Sequence, residues 1–87
     1  MIKSGQIVVG TSPVVIGEMH TSNTKITIYN MSNYDDIYLG NGDVTVSTGL
    51  ELHPHVPYTI ELQPMDLLHG VAVSGTQDHL VSWLQVS

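Results

Sequence analysis

The 87 residues carry no cysteine, two basic residues (Lys3 and Lys25) and eight acids, for a net charge of −6. Without a basic cluster there is nothing to displace counterions from phosphate, which argues against a nucleic-acid partner and against an anionic membrane surface. Disulfides and thiolate zinc sites are excluded as well, no apolar run approaches the ~20 residues of a membrane-spanning helix, and residues 1–6 lack the apolar stretch of a signal peptide.

A chain of this length holds one domain. Folding at this size buries only about 60–65% of the surface that the unfolded chain exposes, so association with other subunits is the usual route to added stability. Val, Ile and Thr fall in short runs, broken about every eight to twelve residues by Gly, Pro, Asn, Asp or Ser, which is the pattern of strands and turns. Residues 6–9 and 14–16 form short strands around Gly10-Thr11-Ser12-Pro13, and residues 1–20 read as edge strands or a partly extended arm. Residues 25–30 alternate, with Ile26 and Ile28 on one face and Lys25, Thr27 and Tyr29 on the other. Residues 31–36 form a polar turn and 37–39 the next strand. The pleat predicts an antiparallel hairpin between 25–30 and 37–39, with Tyr29 opposite Tyr38 and Ile28 opposite Leu39. Further strands are expected at 44–46, 50–52, 58–62, 67–73 and 79–86, with turns at 40–43, 53–57 and 74–78. The expectation is all-β: one β-sandwich or flattened barrel of seven or eight short, mainly antiparallel strands.

The chemistry-bearing residues do not assemble into a recognisable signature. His53-Pro54-His55 places two imidazoles close together, yet zinc needs a third and fourth ligand, and no thiolate or H-x-x-x-H helix supplies them. His20, His69 and His79 are scattered and read as surface or satisfied polar residues. Asp35, Asp36, Asn41 and Asp43 lack calcium-loop spacing and read as turn formers. No nucleophile elbow, paired-carboxylate or phosphate-loop pattern occurs, so no catalytic residue, metal or cofactor is expected.

The aromatic residues carry more information. With no Phe the core must be aliphatic. Tyr29 and Tyr38 fall on the polar sides of their strands. In 79–86, Leu80, Leu84 and Val86 share one face, assigned to the core, which leaves Val81 and Trp83 facing outward. Tyr29, Tyr38, Val81 and Trp83 are therefore the candidate protein-interface residues. The same aromatics could stack on sugar rings, so a carbohydrate-binding module is the alternative from another class.

The run Ile28-Tyr-Asn-Met-Ser-Asn-Tyr-Asp-Asp-Ile-Tyr-Leu-Gly-Asn-Gly-Asp-Val-Thr-Val-Ser-Thr-Gly-Leu-Glu-Leu52 resembles small structural proteins of tailed bacteriophages. Tyr58-Thr-Ile-Glu-Leu62 and Asp66-Leu-Leu-His-Gly-Val-Ala-Val-Ser-Gly-Thr76 continue the resemblance, which covers about residues 24–86. One departure is Pro54-His55-Val56-Pro57, where those proteins usually carry Pro-Gly. The resemblance implies a virion protein that decorates or cements a capsid, made in the host cytoplasm. Its implied partner is the major capsid protein, its implied state a homo-oligomer with a trimer favoured, and it brings no catalytic residues. A head–tail or fibre component is the variant within the same class.

Overall fold

Alternation along the chain sets the strands, and burial follows it: in Thr24–Asn30 every second residue, Thr24, Ile26, Ile28 and Asn30, is buried. The computed structural model describes residues 2–32, 35–73 and 79–87, and among these there are eight strands and no helix. They are β1 (Ile2–Val9), β2 (Val14–Ile16), β3 (Thr24–Asn30), β4 (Ile37–Gly40), β5 (Leu50–Leu52), β6 (Pro57–Leu62), β7 (Leu68–Ala72) and β8 (His79–Val86). The turn expected at 74–78 lies outside the described residues.

Two four-stranded sheets form, a front sheet in the order β1-β8-β3-β6 and a back sheet in the order β2-β7-β4-β5. Every pairing is antiparallel. The pairs β1–β8, β2–β7, β3–β6 and β4–β5 are nested, as though the chain were one long hairpin with its tip between β4 and β5. Rolling that hairpin brings β3 beside β8 and β4 beside β7. This is the wiring of a jelly roll. The result is a flat sandwich with Cα extents of 35 × 23 × 16 Å.

The core between the sheets is aliphatic. Val9, Ile26, Ile28 and Val81 come from the front sheet, and Ile16, Ile37, Leu39, Leu52, Leu68 and Ala72 from the back. Polar side chains buried with them are used as ties. Asn30 donates from Nδ2 to the carbonyls of Asp35 and Leu52, each at 3.0 Å, and accepts from the Ser32 amide at 2.9 Å. It thereby joins β3 of the front sheet to β5 of the back. Gln85 accepts from the Glu18 amide at 2.7 Å and donates to the Glu18 carbonyl at 2.8 Å, which fixes the β2–β3 connection. Each tie satisfies backbone groups that would be expensive to bury unpaired.

Three expectations are corrected. The hairpin of 25–30 with 37–39 does not form: β3 and β4 lie in different sheets, so Tyr29 and Tyr38 are not cross-strand neighbours. The rolled topology replaces that local pairing with the long-range pairs β3–β6 and β4–β7.

Residues 44–46 are not a strand but part of a turn. Thr45 and Thr48 satisfy the backbone locally there: the Thr45 amide donates to Thr48 Oγ1, the Ser47 amide to Thr45 Oγ1, and the Gly49 amide to the Thr45 carbonyl.

The faces of β8 are the reverse of those expected. His79, Val81, Trp83 and Gln85 point inward, while Leu80, Leu84 and Val86 lie on the outer side. This strand carries apolar residues at both parities, and the buried hydrogen bonds of His79 and Gln85 decide which face goes in.

Candidate docking face

The structure separates the four residues singled out from the sequence. Val81 is fully buried in the core. Trp83 is half-buried against that core, and its indole lies over Gly5, where an added Cβ would stand 2.9 Å from Cζ2. A glycine in the neighbouring strand makes the space that a phenylalanine-free core gives to its only tryptophan. Tyr29 is half-exposed on the outer face of the front sheet and Tyr38 on the outer face of the back sheet. No two of the four share an outward patch.

The outer face of the front sheet is nevertheless the most distinctive surface. Register fixes its rows: Ile2, Val86, Lys25 and Glu61; then Ser4, Leu84, Thr27 and Thr59; then Gln6, Ser82, Tyr29 and Pro57; then Val8 with Leu80. Ile2, Val8, Leu84 and Val86 are 68%, 52%, 43% and 47% exposed, and Met31 joins them at the edge. Among the described residues Lys25 and Glu61 are its only charged side chains, and they sit opposite each other. Tyr29 forms the polar rim, with its hydroxyl 3.1 Å from His55 Nδ1. In a chain of net charge −6 this face is neutral. Sequence reasoning missed Leu84 and Val86 because the parity of β8 was reversed.

The back sheet is covered by the chain itself. The 41–49 turn folds over its outer side, where Val44 is only 4% exposed. Added Cβ atoms at Gly40 and Gly49 would both meet Val44 Cγ2 at 2.8 Å, so glycines provide the seat for this side chain. Val71, also on the outer side of its strand, is buried.

Beside this covered face stands a charged corner. His53 Nδ1 is 2.9 Å from Asp36 Oδ1 and Nε2 is 3.1 Å from Glu51 Oε1. Both ring nitrogens therefore face carboxylates, which suits the doubly protonated imidazolium. The hydrogen bond to Asp36 and the charges of Asp36 and Glu51 hold the His53 pKa above its ordinary 6.5. The neighbouring Tyr38 hydroxyl is also raised, by burial first and then by Glu51 and Asp36. His53, Asp36 and Glu51 are the described residues whose spacing could hold a cation. Their geometry is that of a histidine between two acids, each nitrogen having its own partner.

A second cluster lies inside. His79 is fully buried and its Nε2 lies 2.8 Å from Asp35 Oδ2, while the Asp35 amide donates to Ser32 Oγ at 3.3 Å. A serine–histidine–aspartate relay would need a hydroxyl on His79 Nδ1, and that enclosed nitrogen has no hydrogen-bond partner. The cluster ties the β3–β4 crossover to β8. No family model, curated protein or solved structure matches this chain.

Proposed function

We propose that this chain is a non-enzymatic docking protein that seats the outer face of its front sheet on another protein subunit. The single observation that carries the reading is that bare, charge-neutral face, with Ile2, Val8, Leu84 and Val86 exposed on an otherwise acidic chain. Four strands about 4.8 Å apart, with about seven residues of ~3.3 Å rise, give it an area of ~450 Å². That falls short of the ~800 Å² per partner of a standard interface, so many copies on a repetitive surface suit it better than one isolated complex. A capsid is such a surface. The resemblance of residues 28–52 to phage structural proteins makes the major capsid protein the partner proposed, and the virion surface the location. Each bound copy would favour the assembled shell by mass action.

The jelly-roll wiring is used by viral capsid and lectin domains alike and selects neither. The sugar-binding alternative loses support from the placement of the aromatics: Tyr29 and Tyr38 stand on opposite outer faces and Trp83 lies over Gly5. Co-sedimentation with capsids lacking the protein tests the proposal. The wild-type chain should pellet with them and Leu84→Asp should not, with the melting temperature nearly unchanged. Equal pelleting of both would reject the face, and pelleting of neither the capsid partner.

A further inference from the structure

The sandwich has four edge strands, β1, β6, β2 and β5. Unpaired edges invite pairing with other chains, and folded proteins blunt them by shortness, proline or charge. β2 and β5 are three residues each. β6 begins with Pro57 and carries Glu61 outward. β1 lacks the first two of these devices. It runs for 8 residues without proline, pairs along its whole length with β8, and among the described residues no backbone hydrogen bond joins its other side to a strand. Alternate N–H and C=O groups along that side are left for a partner. Its one charge, Lys3, is already matched by Glu18 at 2.9 Å.

The geometry points to a second copy of this chain as the partner, with β1 pairing antiparallel to β1 across a two-fold axis at Gly5. Pleating requires inward residues to oppose inward ones, so the two residue numbers in each pair must share parity. The axis at Gly5 then sets Ile2 against Val8, Lys3 against Ile7 and Ser4 against Gln6, each twice. Ile2 and Val8 are the two most exposed apolar residues of the front face, and this register covers each with the other. No lysine faces a lysine. A two-fold perpendicular to the sheet keeps both outer faces on the same side, so the front sheets join into one of eight strands. The neutral face doubles to ~900 Å², the size of a standard interface on one partner. The pairing does not depend on the docking role, although it would serve it.

The test uses the purified chain without capsids, so a failure of the docking proposal leaves it intact. Sedimentation equilibrium at about 100 μM, where a small edge interface should be populated, is expected to show a dimer. Val8→Lys should weaken that dimer roughly tenfold or more, by removing both Ile2–Val8 pairs, while the Trp83 emission shows that the fold is kept. Because the chain has no cysteine, Ile2→Cys combined with Val8→Cys should oxidise to a covalent dimer, and neither single variant should. A monomer, a trimer, or a dimer that Val8→Lys leaves intact would overturn the inference, and a dimer without the double-cysteine cross-link would overturn its register.

Discussion

The two outer faces of this sandwich were made differently by one chain. The back sheet is roofed by residues 41–49, with Val44 seated between Gly40 and Gly49, and its flank carries Asp36, Glu51 and His53. Among the described residues the front sheet has no such roof, and its outward side chains are uncharged apart from the opposed pair Lys25 and Glu61. A domain this small has too little chain to cover both faces. Where it spends a loop, with two glycines and a run of local Thr and Asn hydrogen bonds, Val44 and Val71 are buried. Where it spends none, exposed Leu84 and Val86 remain for something else to cover.

Asn30 ties the two sheets in their present relation, and the largest effect is expected at that tie. Asn30→Ala would leave the Asp35 and Leu52 carbonyls and the Ser32 amide without their partner. It should cost about 3 kcal/mol, read from the urea midpoint at constant slope. Val44→Ala should cost about 2 kcal/mol, because it opens a cavity under the roof, whereas Leu84→Ala should stay within about 0.5 kcal/mol, as exposed positions do. Equal costs would mean that the front face is covered too.

Much of the fold was legible in the sequence. The fold class and most strands follow from short β-branched runs between turn residues, and the alternation of Ile26, Thr27, Ile28 and Tyr29 gave the correct faces of β3. The reversal at β8 shows where pattern ceases to decide, since Leu80, Leu84 and Val86 outnumber Val81 and Trp83. What outweighs them is the hydrogen bonding of Gln85 to Glu18 and of His79 to Asp35, partners 67 and 44 residues away that no local window contains. The Asp36–Glu51–His53 corner was hidden too, since Asp36 lies 17 residues before His53; Asp36 was visible as a turn acid and His53 as a proline-flanked histidine, while Glu51, inside the expected strand 50–52, was not singled out.

The two turns leading into and out of β6 offer a finer comparison. Pro54-His55 and Pro64-Met65 both place a non-glycine residue in the left-handed region, His55 at φ 60° and Met65 at φ 70°. In turns of this kind the position after proline favours glycine. Met65 is exposed, so Met65→Gly should raise stability by about 1 kcal/mol. His55 instead packs on Tyr29, with ring centroids 5.9 Å apart, in addition to the hydrogen bond. His55→Gly should therefore gain less, and the shortfall should shrink in a Tyr29→Phe background. A double-mutant cycle followed by thermal melts measures that coupling. No coupling would show that Tyr29 is a free side chain on the docking face and not part of a braced rim.

The smallest expected effect is the pH response of the charged corner, and it bears most directly on which face docks. The groups around His53 are Asp36 from the β3–β4 connection, Glu51 from β5, and the Tyr38 hydroxyl of β4. The folded state holds the His53 proton more tightly than the unfolded chain, whose value is near 6.5. The stabilisation from this group is thus fully present below that pH and is lost as pH rises through the higher folded value. The melting temperature should fall slightly across that interval, and His53→Gln should remove that part of the slope. Exposure keeps the effect small. Docking through the front face should ignore it, because no group of the corner lies on that face. Co-sedimentation measured on either side of neutrality, with and without His53→Gln, separates the two surfaces. If the substitution changes binding while Leu84→Asp does not, the partner sits on the acidic flank of the back sheet, and the bare front face belongs to the β1 dimer alone.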